Sequence, residues 1–422
     1  MKNENEIFEI IEFKKEDDDE LTLYNDLTLD QNGGKVIGEG GYGCVLKPGL
    51  TCKGKNMKTK KFITKIQVEN STSRRESKIG EMVKKIPFSK KYFAPIISSC
   101  EYNHKVVQMV SSKYNCSFFS KYPNKKFTIS RLPYINGSDY KNYLHSSIDN
   151  NTFLYAIIHG YIYLLFSLFM LNKQGIIHYD IKGENIMYDE KRDIPIIIDF
   201  GLSIIKDEIK PNFNDPNYIY QLKEYFYTYA PDYSLWCLDI HYLCFIINHP
   251  NNDVRNEIYD MVNTYMEYNK AFDIFSDELY STFKQLSIKQ LHKYADMGVE
   301  KSIKHILKYS DTWDNYSLSI MFLRILNMFE MKKRGNFLQS FKKLLEINIH
   351  PDPKERLSLD KSHDYIINHL NNNKHEKSVF KIIANQIKDN KQKFKKQLTK
   401  QINQDKSMSI KMTALKEKAK TI

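Results

Sequence analysis

Residues 178–186 read HYDIKGENI, which places an aspartate, a lysine and an asparagine in the pattern D-x-K-x-x-N. In phosphoryl transfer an aspartate can accept the proton of the attacking hydroxyl, and a lysine can neutralise charge on the γ-phosphate. An asparagine can offer a neutral oxygen to magnesium. The pattern therefore predicts Asp180 and Lys182 as catalytic residues and Asn185 as a metal ligand. We interpret His178 as a packing and hydrogen-bonding residue rather than as a base.

A predicted buried strand that ends in a carboxylate follows this stretch. Residues 196–201 read IIIDFG, and Asp199 lies 14 residues after Asn185 with a predicted strand pair between them. Carboxylate oxygens are ligands that magnesium prefers. We therefore predict that Asp199 is a second metal ligand and holds magnesium against the β- and γ-phosphates of a nucleotide. The expected cofactors are ATP and Mg2+.

Upstream, residues 37–45 read IGEGGYGCV, a glycine-rich pattern of the form G-x-G-x-x-G-x-V. Glycines let a backbone approach phosphate oxygens closely. A dinucleotide-binding loop has a similar spelling but opens a helix, whereas this one continues into strand-like residues. The pattern therefore favours a β-hairpin lid over a nucleotide. The predicted nucleotide contacts in this lid are Ile37, Gly38, Glu39, Gly40, Gly41, Tyr42, Gly43, Cys44 and Val45.

Lys65 lies in the next strand-like run, FITKI at residues 62–66. A strand lysine usually points to water, but one that follows a phosphate lid can reach the α- and β-phosphates if an anionic partner fixes it. Glu76, at the start of the following predicted helix, is the preferred partner. Glu81 is the alternative, and it faces another side of that helix because it lies five residues further on. We predict that Lys65 and Glu76 belong to the nucleotide site.

Apolar patterning divides the chain into a strand-rich part and a helix-rich part. Short strand-like runs with one helix occupy about residues 35–132, and long helical patterns dominate from 137 to about 370. The predicted fold class is therefore α+β, with a small β-rich lobe before a large helical lobe. The predicted domains are an acidic leader at 1–30, a first lobe at 31–136, a second lobe at 137–370 with an insertion within about 250–335, and a basic tail at 371–422 that is helical or disordered.

These motifs, in this order, resemble those of the eukaryotic-type protein kinase family, over about residues 35–370. The resemblance implies a bilobal kinase-like fold, and Lys182, two residues after Asp180, implies Ser/Thr hydroxyls of proteins as substrates. Asp139 lies in a hinge-like segment where the family often keeps an acid near the ribose, so it is also expected to bind the nucleotide. The Lys-, Asn- and Ile-rich composition is similar to that of kinases of large DNA viruses, with an A/T-rich protist as the alternative source.

Further resemblances concern the large lobe. Residues 230–232, Ala-Pro-Asp, resemble the A-P-E that closes the activation segment, and the resemblance implies that Arg356 pairs with Asp232. Asp239 resembles the helix aspartate that braces the catalytic loop. The chain departs from the family at Tyr179, where an arginine usually contacts a phosphate on the activation segment. We therefore expect an enzyme that is active without such phosphorylation.

Charge and cysteine usage bear on partners and location. Residues 1–30 hold 3 Lys against 11 acids, whereas residues 371–422 hold 14 Lys against 4 acids. The basic tail is expected either to be simply solvated or to contact acidic partners, an anionic membrane or nucleic acid. Six scattered cysteines and an N-terminus without an apolar signal core indicate a reduced protein of the cytoplasm, which for a viral protein means the host cytoplasm or the virion. We interpret the apolar run 153–171 as a buried helix rather than a membrane span.

Two other functions stay open at the level of sequence. A pseudokinase would bind partners without catalysis, although such proteins usually lack at least one of Lys65, Asp180, Asn185 and Asp199. A small-molecule kinase of related fold typically lacks the lysine two residues after the aspartate and the A-P-E-like segment. The sequence therefore favours transfer of phosphate from ATP to protein hydroxyls.

Overall fold

The computed structural model describes residues 35–40, 43–52, 57, 59–102, 116, 118, 122, 125–329, 336–372 and 377–421. The acidic leader and the residues Gly41 and Tyr42 of the predicted lid lie outside these ranges. The chain divides into two units. The small unit comprises the described residues up to Lys90 together with Ala94–Ile135, and the large unit comprises Lys91–Phe93 and Asn136–Ile422.

The small unit is built on a five-stranded antiparallel sheet in the order β1-β2-β3-β5-β4. Its strands are β1 (Lys35–Gly40), β2 (Gly43–Lys47), β3 (Phe62–Val68), β4 (Ser98–Tyr102) and β5 (Phe127–Pro133). The helix α1 (Ser71–Val83) follows β3, and the single turn α2 (Ser89–Tyr92) comes next in the chain. An Asn70–Ser73 capping box fixes the start of α1, since each side chain accepts from the other residue's backbone N–H.

One face of this sheet is apolar. Side chains alternate between the two faces of a strand, so Cys44 and Leu46 of β2 lie on the same face as Ile66 of β3. They join a buried cluster with Phe127 and Ile129 of β5. The residues between them face the other way, and Val45 lies opposite Lys65 across the β2–β3 pair. The alternation therefore presents Lys65 and Val45 on the face that is not the core.

Four of the six cysteines are paired. Disulfides join Cys44 to Cys116 and Cys52 to Cys100, and the two remaining cysteines, in the large unit, are buried thiols. The expectation of a fully reduced chain is therefore wrong for these four residues. The paired residues lie 72 and 48 positions apart in the chain, so cysteine spacing alone does not reveal the pairing. Disulfides are typical of oxidising compartments, so the pairing lends no support to the predicted cytoplasmic location.

The large unit is mainly helical and contains two small antiparallel sheets. The strands are β6 (Gly137–Asp139), β7 (Ile176–Ile177), β8 (Ile186–Asp189), β9 (Ile194–Ile197) and β10 (Ile204–Ile205). Strand β8 lies between β6 and β9, and β7 pairs with β10. The helices are α3 (Tyr140–Asp149), α4 (Phe153–Lys173), α5 (Tyr218–Lys223), α6 (Leu238–Asn248), α7 (Ile258–Tyr268), α8 (Asp277–Met297), α9 (Val299–Lys308), α10 (Trp313–Leu326), α11 (Asn336–Asn348), α12 (Leu359–Asn372), α13 (Lys377–Asp389) and α14 (Lys391–Thr421).

The helix α4 forms the centre of the large unit. Among the described residues it is the one helix long and apolar enough to cross a membrane, and 72% of that window is buried inside the protein. The ring of Tyr161, for example, lies edge-on to Phe322 and Phe341 at centroid distances of 5.0 and 4.8 Å. This burial agrees with the interpretation of the run 153–171 as a core helix.

Two regions that the sequence left open are helical. The helices α7, α8 and α9 occupy residues 258–308, within the predicted insertion, and pack on one another and on α6. The basic tail forms α13 and α14, so of the two alternatives, helical or disordered, its described residues take the first. The molecule is therefore an α+β protein with a small antiparallel sheet followed by a helical remainder.

Candidate active site

Lys65 and Glu76 form a partly buried ion pair in the small unit. The Lys65 Nζ lies 2.9 Å from Oε1 and 3.1 Å from Oε2 of Glu76. Gln67 donates a further hydrogen bond to Glu76, whose side chain is 2% exposed. The less favoured alternative, Glu81, pairs with Lys84 on the surface instead. The predicted choice of Glu76 is confirmed, and the extra donor helps to offset the cost of burying the carboxylate.

The glycines of the predicted lid differ in how strictly the structure requires a residue without a side chain. Gly43 has φ +150°, and a Cβ there would lie 1.9 Å from the backbone oxygen of Ile66 in the neighbouring strand, so strand pairing alone requires glycine. Among the described residues, a Cβ on Gly38 would meet only Val45, at 3.8 Å, which is ordinary van der Waals contact. Ile37 is 48% exposed. The backbone of Glu39 and Gly40 belongs to β1.

The prediction for Cys44 needs correction. Its side chain is fully buried in the apolar cluster and bonded to Cys116, on the face of the sheet opposite Lys65. The alternation of the strand therefore removes this side chain from the candidate nucleotide contacts. Val45, one residue later, lies on the Lys65 face and remains a candidate.

In the large unit, the Asp180 carboxylate is held by several donors. The Asn185 Nδ2 donates to the Asp180 backbone oxygen at 2.8 Å and to Oδ2 at 3.0 Å. The Lys182 ammonium lies 3.0 Å from the same Oδ2. The sequence D-x-K-x-x-N thus closes on itself, because the 3-10 turn Gly183–Asn185 brings the asparagine back to the aspartate.

Electrostatics keep Lys182 charged. Burial by itself lowers the pKa of the Lys182 ammonium, but the attraction of Asp180, and further of Asp199 and Glu184, outweighs this effect and raises the pKa above its ordinary value. The charge of Asp199 is thus one of those that act on this lysine. Lys182 is therefore a positive charge that pairs with Asp180 and is attracted by Asp199, the two carboxylates that the sequence predicts to act on a nucleotide.

Two residues flanking this site have left-handed backbone conformations. Tyr179 has φ 68° and Asp199 has φ 60°, a region that residues with a side chain seldom adopt. Such strain persists where surrounding contacts over-determine it, and it concentrates at functional sites. Phe200 supplies one of those contacts, since its ring lies 5.2 Å from His178 and 6.2 Å from Phe93. His178 itself packs and hydrogen-bonds to the Ile198 oxygen, as its interpretation requires.

The carboxylate that braces this loop is Asp314, which sequence reasoning missed. Its Oδ2 accepts from the His178 N–H at 2.7 Å, and its Oδ1 accepts from the Tyr179 N–H at 2.8 Å. The expectation that Asp239 has this role is wrong. The sequence did contain a signal, since Asp314 is an acid at the start of the largely apolar helix α10. An acid in such a helix is expected to be buried, and a buried carboxylate needs fixed hydrogen-bond donors.

Asp239 instead pairs with Arg356. The Arg356 Nη2 lies 2.6 Å from Asp239 Oδ2, and Tyr294 of α8 donates to Oδ1 at 2.6 Å. The predicted pairing of Arg356 with Asp232 is therefore wrong, and Asp232 forms an ion pair with Lys411. The physical reason is packing: Asp239, which is 2% exposed, meets the Arg356 guanidinium, whose Nε and Nη1 already donate to His350 and Thr312.

Tyr233 is a second residue that sequence reasoning missed. Its hydroxyl donates to Asp180 Oδ1 at 3.0 Å, so both carboxylate oxygens of Asp180 accept hydrogen bonds. Burial, followed by the nearby Asp180 charge, raises the pKa of Tyr233 well above its usual value, and the hydroxyl remains a donor. The one sequence signal was its position directly after the segment 230–232.

Tyr179 and Asp139 have structural roles that the sequence did not reveal. The Tyr179 ring stacks on Trp236 at 4.7 Å, and Trp236 Nε1 donates to the Tyr179 oxygen at 2.8 Å. Asp139 caps α3, accepting from the Asn142 backbone N–H at 3.1 Å. Capping accounts for an aspartate at this position, and its contact with a ribose stays a prediction.

The predicted metal ligands fit magnesium in their chemistry. Asn185 turns its amide nitrogen to Asp180, which leaves the amide oxygen as the atom for a cation. Asp199 adds a half-buried carboxylate in the same unit. Among the described residues, no group of three or more His, Cys, Asp and Glu side chains is arranged to hold a metal. Magnesium commonly takes one or two protein ligands and completes its shell with phosphates and water, so this sparse set suits it.

Comparison with known families and proteins adds no identification. No family model matches this chain, and no curated protein matches it. Function is therefore inferred from the geometry of the described residues.

Proposed function

We propose that this protein is an ATP-dependent kinase that transfers the γ-phosphoryl group to Ser or Thr hydroxyls of proteins, with the bilobal fold of eukaryotic-type protein kinases. The observation that carries the proposal is the environment of Asp180. Its carboxylate accepts from Asn185 and Tyr233 and pairs with Lys182, within 3.0 Å in each case. A carboxylate fixed in this way, beside a lysine, suits the orientation of an attacking hydroxyl.

Each polar group has a distinct task in this reaction. Asp180 orients the substrate hydroxyl and accepts its proton as the new phosphorus–oxygen bond forms and the bond to ADP breaks. Lys182 places positive charge where the transferred group gathers negative charge. In the small unit, Glu76 holds the Lys65 ammonium ready for the α- and β-phosphates. Catalysis by these residues is positioning and charge stabilisation rather than covalent chemistry.

Magnesium bound together with ATP would offset the charge of the phosphates, and the oxygens of Asn185 and Asp199 are the groups that would hold it. The proposal assigns protein rather than small-molecule substrates because of Lys182 and the segment 230–236. That segment supports the site through the Tyr233 hydroxyl.

The test is a radiolabelled ATP transfer assay on generic acidic and basic proteins, followed by peptide arrays. Asp180→Asn should abolish turnover while ATP binding persists, with the exposed Asp207→Asn as the matched control. Lys65→Met should lower turnover about 10²-fold, the scale for losing one pre-organised electrostatic contact. Glu76→Gln should also lower it, whereas Glu81→Gln should not.

Two outcomes would contradict the proposal. Wild-type protein that binds ATP and phosphorylates no protein would favour a pseudokinase. Retained turnover in Asp180→Asn would remove this carboxylate from its central role.

A further inference from the structure

The C-terminal helix, Lys391–Thr421, lies beyond the kinase-like residues 35–370 yet is docked on the large unit. The ring of Phe394 lies 6.0 Å from that of Phe153 and 5.3 Å from that of Phe329. The buried apolar residues of this helix are Phe394, Leu398, Ile402 and Met412. Burying side chains of this kind stabilises the docked position by about 1.5–3 kcal/mol each.

A buried carboxylate interrupts this apolar face. Asp405 forms one ion pair with Arg324 of α10 and a second, at 2.6 Å, with Lys141 of α3. The three side chains are 11%, 6% and 9% exposed. Burying a carboxylate is costly unless fixed cations meet it, so Asp405 sets one position of the helix on the large unit.

Lys141 connects this carboxylate to the catalytic turn. Its ammonium lies 2.6 Å from Glu184 Oε1 and 2.6 Å from Asp405 Oδ2. Its aliphatic stem packs so closely on Gly183 that a Cβ there would lie 2.5 Å from the stem carbons. Gly183 and Glu184 precede Asn185, whose amide holds Asp180. One lysine thus touches both the C-terminal helix and the turn that carries the predicted metal ligand.

The charges of this cluster balance. Asp405 and Glu184 supply two negative charges, and Lys141 and Arg324 supply two positive charges. If Asp405 loses its charge, the buried cluster carries a net positive charge, and Lys141 loses the partner that holds it opposite Glu184. Such an imbalance favours movement of Lys141 toward water, away from the catalytic turn.

The same helix also reaches the segment that supports Asp180 from the other side. Lys411 pairs with Asp232, and the Ser234 hydroxyl oxygen lies 3.8 Å from Met408 Sδ. Tyr233 lies between Asp232 and Ser234 in the chain, and its hydroxyl donates to Asp180. The helix therefore touches both groups of residues that orient the carboxylate.

We propose that the C-terminal helix is a positioning element of the active site, in which Asp405 fixes Lys141 and Lys141 fixes the turn Gly183–Asn185. The alternative is a helix that only adds stability to the large unit. The catalytic consequence rests on the proposed kinase function, whereas the structural consequence does not.

The first test compares kinetics of folded variants. Asp405→Asn should lower kcat about 10- to 100-fold, the scale for displacing reacting groups by about 1 Å, and leave KM for ATP nearly unchanged. Lys141→Met keeps the stem on Gly183 and removes the ammonium, so it should have the same effect. The double variant should lose no more than either single variant, because both act through one contact.

Asp149→Asn is the matched control. Asp149 also anchors the C-terminal helix, through Lys395 at 2.5 Å, and in the described part of the chain the groups that act on its carboxylate are Lys395, Lys391 and His145, none of them in the turn Gly183–Asn185. This variant should keep the wild-type kcat. If Asp405→Asn fails to fold, the kcat of Lys141→Met alone tests the proposal. Wild-type kcat in folded Lys141→Met would overturn the proposal.

The second test does not depend on activity. Hydrogen–deuterium exchange at the Asn185 amide, which donates to the Lys182 oxygen at 3.0 Å, reports the order of the turn. Exchange should be faster in Asp405→Asn than in wild type and unchanged in Asp149→Asn. Equal exchange in all three proteins would overturn the proposal. If wild-type protein transferred no phosphate, the proposed function would fail while this measurement still decided the role of the helix.

Discussion

Replacing Asp314 with alanine tests the long-range contact that holds the loop carrying Asp180. The substitution removes the acceptors of two backbone N–H groups, those of His178 and Tyr179, at 2.7 and 2.8 Å. Both residues are at most 3% exposed, so water cannot replace the lost acceptors without rearrangement. The loop that carries Asp180 would then lose its support from below.

The magnitude follows from these two hydrogen bonds. Hydrogen bonds to a charged group contribute about 1.5–3 kcal/mol each, which gives about 3–6 kcal/mol for the pair. Burial raises the pKa of Asp314, and the two hydrogen bonds and His178 do not fully reverse this. Part of the free energy of these hydrogen bonds therefore offsets the cost of burying the charge. We expect the substitution to lower the free energy of unfolding by about 3 kcal/mol, near the lower end of this range. That is a large share of a typical stability of about 5–15 kcal/mol.

The assay is urea unfolding followed by fluorescence of Trp236 and Trp313, the two tryptophans of the chain. Their rings lie 4.7 and 6.0 Å from that of Tyr179, so they report on this loop. Asp311→Ala is the matched control. Asp311 is 45% exposed and 3.6 Å from Lys206, a surface pair worth less than about 1 kcal/mol. Equal unfolding free energies for the two variants would refute the role of Asp314.

Two further predictions concern pH and phosphorylation. Burial lowers the pKa of His241 to about 4 in the folded protein. In the unfolded chain this histidine binds a proton near pH 6.5, so acidification favours the unfolded state. The free energy of unfolding should therefore fall by about 2–3 kcal/mol between pH 7 and 4.5. Urea midpoints at the two pH values measure this, and the loss should shrink in His241→Asn; an unchanged loss would contradict the assignment. Tyr179 is held by stacking on Trp236 rather than by a phosphate, so phosphatase-treated protein should keep most of its transfer activity, and a near-total loss would count against this.

Local spacing made much of the site predictable. The pattern D-x-K-x-x-N fits within six residues, and one 3-10 turn is enough to bring Asn185 back to Asp180. Helix periodicity likewise favoured Glu76 over Glu81 as the partner of Lys65, because residues five positions apart face different sides of a helix. The prediction for Cys44 failed because alternation was not applied to β2, where this residue faces the core.

Long-range partners were not predictable in the same way. Several aspartates of equal chemistry compete for each role, and the sequence does not say which helix packs beneath the loop. Asp314 lies 136 residues from His178, and the three helices α7 to α9 stand between Asp239 and this acid. Asp239 therefore received the role of Asp314, and Asp232 received the role of Asp239.

The sequence by itself indicated the candidate site, since Asp180, Lys182 and Asn185 stand within six positions in a recognisable order. Tertiary structure decided that Asp239 pairs with Arg356 and that Asp314 holds the loop before Asp180. It also decided that Asp405 of the tail shares Lys141 with Glu184. The physical reason is that a turn or strand fixes its neighbours through local backbone geometry. A buried ion pair forms only where the packing of distant elements excludes water around both partners.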